Sequence, residues 1–92
     1  MPHPELQALR NEVDLIDSEV VELLAKRFEI TAKIGNLKAR ESLNPVDPNR
    51  EADQIKRYEK LAATNGLNPQ VIMNIFRVII DDVVSRHREI NK

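Results

Sequence analysis

Of the charged residues and histidines in this 92-residue sequence, seven at helix-face or helix-end positions could do chemistry together: Arg10, Arg27, Lys38, Asp47, Arg50, Glu51 and His87. Arg27 occupies a core-type position in a long apolar seam, and Lys38 follows eleven residues later. At about 100° per residue the two point within roughly 20° of each other, about 16 Å apart along a helix axis. A buried, unpaired cation is costly, so a seam cation calls for an anionic partner, either a carboxylate of the protein or a ligand. Two seam cations, with a cation and a carboxylate from the start of another helix, describe a pocket for a small dianion. The carboxylate would then select a hydroxyl or an amine on the same ligand.

Taken singly, each residue has a plainer explanation. Arg10 and Arg50 read as solvated surface residues, and Lys38 as a side chain that snorkels from the seam to water. Arg27 could pair with a core carboxylate such as Asp82. Asp47 reads as a helix N-cap, Glu51 as an acid placed to suit a helix dipole, and His87 as a hydrogen-bonded core histidine. The joint pattern is what points to a ligand. Nucleophilic catalysis finds little support, because the chain has no cysteine and its histidines are His3 and His87. No paired His or Cys spacing suits a metal, and no glycine-rich phosphate loop is present.

Three helices must position these residues. The first reads as one uninterrupted stretch from Glu5 to Glu41, with apolar residues at Leu6, Leu9, Val13, Ile16, Val20, Leu23, Ile30, Ile34 and Leu37. The alternating steps of three and four are the seam of a helix packed lengthwise against other helices. Such a helix is roughly 50 Å long, whereas a compact monomer of this size has a radius of gyration near ~12 Å. A partner is therefore expected. Asn44-Pro45 disfavours continuation. Asp47-Pro48 is a cap followed by proline at the first helical position, opening a second helix to about Ala63. Its stripe of Ala52, Ile55, Tyr58 or Glu59, and Ala62 is weak, so this helix is expected to be the most exposed. Asn65-Gly66 ends it. Asn68-Pro69 opens a third helix to about Ile90, with an apolar face of Ile72, Phe76, Ile79 and Val83 followed by His87. The fold class expected is all-α, as one domain over residues 1–92.

Composition agrees. The chain is 41% hydrophobic and only 3% aromatic, so aliphatic side chains must fill its core. Fourteen basic residues against fifteen acidic ones give a net charge of -1, which argues against a dedicated nucleic-acid binder. With no cysteine, no signal-peptide pattern and no membrane-length apolar run, the expectation is a soluble cytoplasmic protein.

Several stretches together resemble a known family. They are Leu9-Arg10 with Asp14-Leu15-Ile16-Asp17, Leu23-Leu24-Ala25-Lys26-Arg27, and Ile34-Gly35-Asn36-Leu37-Lys38. Pro45-Val46-Asp47-Pro48-Asn49-Arg50-Glu51 and Phe76-Arg77-Val78-Ile79-Ile80-Asp81-Asp82 complete the set. In this order and at these separations they resemble the all-helical class of chorismate mutases across essentially the whole chain. The resemblance implies an intertwined helical homodimer with two identical sites, working in aromatic amino-acid biosynthesis without cofactor or metal. The implied reaction is the pericyclic rearrangement of chorismate to prephenate, in which an ether C–O bond breaks as a C–C bond forms.

The resemblance also assigns roles. Arg27 and Arg10 would bind the substrate carboxylates, with Arg10 reaching in from the other subunit. Helix geometry favours that arrangement, since Arg10 and Arg27 lie about 25 Å apart on one helix. Lys38 would bind a carboxylate and the ether oxygen. Arg50 would support the electrostatics, and Glu51 with the backbone of Asp47 would take the ring hydroxyl. Two positions depart from the commonest pattern. Val83 stands where a small polar residue often contacts a carboxylate, so only its backbone could serve. His87 stands where glutamine or glutamate usually donates to the ether oxygen, and its imidazole must present an N–H to do so.

Three other readings remain open. Isochorismate pyruvate lyase shares the fold, but the lyases lack an acid at the position of Glu51. An aminodeoxychorismate mutase would use Glu51 to bind an amine. A non-catalytic helical dimer would favour leucine at positions 27 and 38.

Overall fold

The computed structural model describes residues 3–44 and 46–90, the side chain of Ile90 excepted; Pro45, one of the expected helix breakers, lies outside the described residues. Three helices account for most of them: α1 (Pro4–Arg40), α2 (Pro48–Thr64) and α3 (Pro69–Ile90). Among the described residues there is no strand, and the fold is all-α. The expected helix boundaries hold to within a residue at every end. No described helix is long and apolar enough to cross a membrane.

Each helix begins on a side chain that satisfies an otherwise orphaned N–H. His3 opens α1: its Nδ1 accepts the Leu6 N–H at 3.2 Å. Asp47 caps α2, its Oδ1 accepting the Arg50 N–H at 3.1 Å with Pro48 in the first helical turn. Asn68 opens α3 by accepting the Gln70 N–H at 2.9 Å. The C-terminal ends of α1 and α2 share one device. After α2, Gly66 is left-handed with φ 67°, and the Gly66 and Leu67 N–H groups donate to the carbonyls of Ala63 and Ala62 at 3.2 and 2.8 Å. This is a Schellman closure, and glycine supplies its left-handed residue without steric cost. After α1 the same closure is built on Ser42, with φ 55°.

The chain divides into two compact units, Met1–Thr31 and Ala32–Lys92. In the first, none of the described residues is buried, and only Leu24, Arg27, Phe28 and Thr31 are half-buried. Their spacing of i, i+3, i+4 and i+7 places them on one helix face. The seam residues are exposed in the single chain, from 42% at Ile34 and Leu37 to 63% at Leu23.

In the second unit α2 packs on α3. Tyr58 and Ala62 of α2 and Ile79 of α3 are buried, and Tyr58 stacks on Phe76. The face expected for α3 is the one observed: Ile72, Phe76 and Val83 are half-buried, while Ile79 and His87 are buried. The stripe of α2 is only half as expected, because Ala52 and Ile55 are exposed. The expectation that α2 is the most exposed helix is not met in the single chain. Residues 4–31 of α1 include no buried residue, whereas α2 anchors itself through Tyr58 and Ala62. Seam periodicity reports that a face is destined for burial, not that the same chain supplies the cover.

Candidate active site

Two of the residues singled out from the sequence belong to the first unit. Arg10 is exposed, and Arg27 is half-buried with its Nη1 atom shielded from solvent. The other six belong to the second unit: Lys38, Asp47, Arg50, Glu51, Val83 and His87. Lys38 lies half-buried in the last turn of α1, on a helix end where a cation is favoured. Arg27, Lys38 and His87 all interact with other groups of the chain.

The start of α2 presents three of the six. The carboxylate of Asp47 is engaged as the N-cap, and its carbonyl accepts the Glu51 N–H at 3.0 Å. Both its Oδ1 and its carbonyl therefore serve the start of the helix. Arg50 gives its N–H to that cap and is itself exposed. Glu51, one residue on, is half-buried. From α3, Val83 is half-buried and His87 is only 4% exposed, with its Nδ1 atom shielded from solvent.

Two cavities of this unit include Glu51 in their lining. A cavity of about 160 Å³ between α2 and α3 is lined by Glu51, Ile55, Tyr58, Met73, Phe76, Arg77, Ile80 and Asp81. A wider, open groove of about 630 Å³ is lined by Val46, Glu51, Asp81, Val84, Ser85, Arg88 and Glu89. Glu51 and Asp81 belong to both. Lys38, Arg50, Val83 and His87 line neither. Within the second unit, then, the structure brings Glu51 beside residues of α3 in a largely apolar slot whose lining also includes Arg77 and Asp81.

Sequence reasoning missed the α3 flank that lines these cavities. Arg77, Asp81, Val84 and Arg88 recur at i, i+4, i+7 and i+11, a helix face about a quarter-turn from the Phe76–Val83–His87 stripe. That spacing was available, but charged residues at helical spacing ordinarily mean a solvated face. Only the packing of α2 beside it turns this flank into a wall.

The family model for chorismate mutase type II matches residues 9–88. The chain belongs to that family. Every residue singled out above, from Arg10 to His87, falls inside the matched stretch. The chain is 37% identical over 76 residues to a T-protein of Enterobacter agglomerans, covering 83% of this chain and 20% of that protein. It is 33% identical over 89 residues to a bifunctional chorismate mutase/prephenate dehydratase of Aquifex aeolicus, covering 94% of this chain and 25% of the relative. It is also 29% identical over 79 residues to a 4-amino-4-deoxychorismate mutase of Streptomyces venezuelae, covering 86% of this chain and 77% of the relative. The chain thus spans a fifth to a quarter of the first two relatives and most of the third.

Proposed function

We propose that the chain, as one domain over residues 1–92, is a cytoplasmic chorismate mutase that converts chorismate to prephenate in aromatic amino-acid biosynthesis. The observation that carries this reading is the family match over residues 9–88, which contains the whole set Arg10, Arg27, Lys38, Asp47, Arg50, Glu51, Val83 and His87.

The reaction needs no nucleophile and no proton transfer. Its barrier falls when the enol-pyruvyl arm is held over the ring and when negative charge growing on the ether oxygen is met by fixed donors. Arg27 and Arg10 of the partner subunit bind the two carboxylates and fix the arm. Lys38 donates to one carboxylate and to the ether oxygen, where its full charge is worth more in the transition state than in the ground state. His87 supplies a second N–H to that oxygen, Arg50 adds positive potential, and the backbone of Val83 meets a carboxylate. Glu51 and the backbone of Asp47 receive the ring hydroxyl, a role supported by the half-buried Glu51 that lines the α2–α3 cavity.

The assembly proposed is an intertwined homodimer. Nine seam residues of α1, from Leu6 to Leu37, are exposed in the single chain. A contiguous apolar stripe of that length is what a partner helix covers.

A second reading is favoured by one observation. The Streptomyces venezuelae relative is named for 4-amino-4-deoxychorismate, and the carboxylate of Glu51 accepts from an amine as well as from a hydroxyl. Asp81, which lines the same cavity, adds negative charge that an amine tolerates better. Incubating the purified protein separately with chorismate, isochorismate and 4-amino-4-deoxychorismate, and identifying the products, decides between these. Prephenate from chorismate at the highest kcat/KM is the expected result. Pyruvate release from isochorismate as the main reaction, or no turnover of any of the three, would overturn it.

A further inference from the structure

Ser42 is the one non-glycine among the described residues whose backbone is left-handed, with φ 55°. A residue with a Cβ is disfavoured there, and backbone kept in such a region marks places where a fixed geometry is needed. Ser42 stands four residues after Lys38. Its N–H donates to the Ala39 carbonyl at 3.3 Å, and the Leu43 N–H donates to the Lys38 carbonyl at 2.7 Å. The second is the shortest of the backbone bonds at turns and caps among the described residues. The second bond requires residue 42 to be left-handed, because that conformation folds the chain back over the open carbonyls.

We propose that Ser42 is a positioning residue: its left-handed backbone locks the last turn of α1 and so holds Lys38 where its proposed role needs it. The proposal rests on the reading that places Lys38 at the ether oxygen. Lys38 belongs to the last turn of its helix, where backbone hydrogen bonds otherwise fray. Tying its carbonyl to Leu43 fixes the backbone from which the side chain departs. A displacement of about 1 Å at a reacting centre is enough to cost about a hundredfold in rate. A plain helix stop would make the same two bonds, but it would affect stability and leave turnover per folded molecule unchanged.

The test is a series at position 42, Ser42→Gly, Ser42→Asn, Ser42→Ala and Ser42→Val, each made with Lys38 intact and in Lys38→Ala. Steady-state kcat and KM on chorismate are measured beside helix content and urea midpoint. Glycine and asparagine tolerate the left-handed region, alanine less, and β-branched valine least. With Lys38 intact, kcat is expected to hold in Ser42→Gly and Ser42→Asn, to drop in Ser42→Ala, and to fall about tenfold or more in Ser42→Val. KM should move much less. In Lys38→Ala the series should collapse to a single kcat. Equal kcat across the series with Lys38 intact, or the same spread without it, would overturn the proposal. If Ser42→Val does not fold, the comparison of Ser42→Ala with Ser42→Asn carries the same decision. A Lys38→Ala protein as active as the parent would instead refute the role given to Lys38, which separates that failure from this one.

Discussion

The rings of Tyr58 and Phe76 stack with centroids 4.0 Å apart and planes 12° from parallel. They join α2 to α3, and both line the slot that holds Glu51. With Ala62 and Ile79 they are the nearest thing to a core in the second unit. Truncating either ring removes apolar contact on both sides of the helix pair. Tyr58→Ala or Phe76→Ala is expected to destabilise by about 3 kcal/mol or more, as large aromatic truncations do. Tyr58→Phe should cost little, since the stack survives. Urea midpoints of the three variants check this, and a Tyr58→Ala protein as stable as the parent would show that the stack does not hold the helices.

Asp47 has its carboxylate turned to the Arg50 N–H. Loss of that cap in Asp47→Ala should cost about 1 kcal/mol, whereas Asp47→Ser and Asp47→Asn should cost a few tenths. If only the backbone of Asp47 meets substrate, kcat/KM of Asp47→Asn stays near that of the parent. A loss of a hundredfold in this conservative variant, at unchanged stability, would mean that the carboxylate itself contacts substrate.

Lys38→Ala should leave helix content unchanged, since alanine is the best helix former and the side chain is half-buried at a helix end. Removing a preorganised charged donor from the ether oxygen should cost about 3 kcal/mol in transition-state stabilisation, a factor of a hundred or more in kcat. Turnover within a few-fold of the parent would make Lys38 a snorkelling surface residue.

His87 stands where the resemblance to the family leads one to expect glutamine or glutamate. Its imidazole meets the ether oxygen only through an N–H, and a carboxamide offers a donor of the same kind. His87→Gln is therefore expected to keep kcat/KM close to that of the parent, whereas His87→Ala, which removes the donor, should lower kcat about a hundredfold. A His87→Ala protein as active as the parent, at unchanged helix content, would make His87 a packed core residue.

The apolar seam of α1 predicts the assembly. Light scattering of the purified chain should report twice its 10.6 kDa. Ile16→Asp, which puts a charge in mid-seam, should weaken the dimer and lower activity together. Mixing inactive Arg10→Ala with inactive Lys38→Ala should restore part of the activity, because each heterodimer then contains one intact site. A fully active monomer, or no complementation, counts against a site shared between subunits.

The three helices were legible in the sequence because their signals are local. Asp47-Pro48 and Asn68-Pro69 start helices through their own side chains and fixed φ, and Asn65-Gly66 stops one by tolerating a left-handed backbone. The face of α3 from Ile72 to His87 was legible for the same reason, since a period of 3.6 is written along one element. The capping role of His3 and the left-handed Ser42 were not, because neither residue type advertises the conformation it takes here. Tertiary structure alone decided that Tyr58 meets Phe76, that Ile55 is left exposed, and that the exposed Arg77, Asp81 and Arg88 also line cavities beside α2. Those facts depend on which side of α3 the second helix lies against. That choice follows from the packing of whole faces, which no single stretch of sequence specifies.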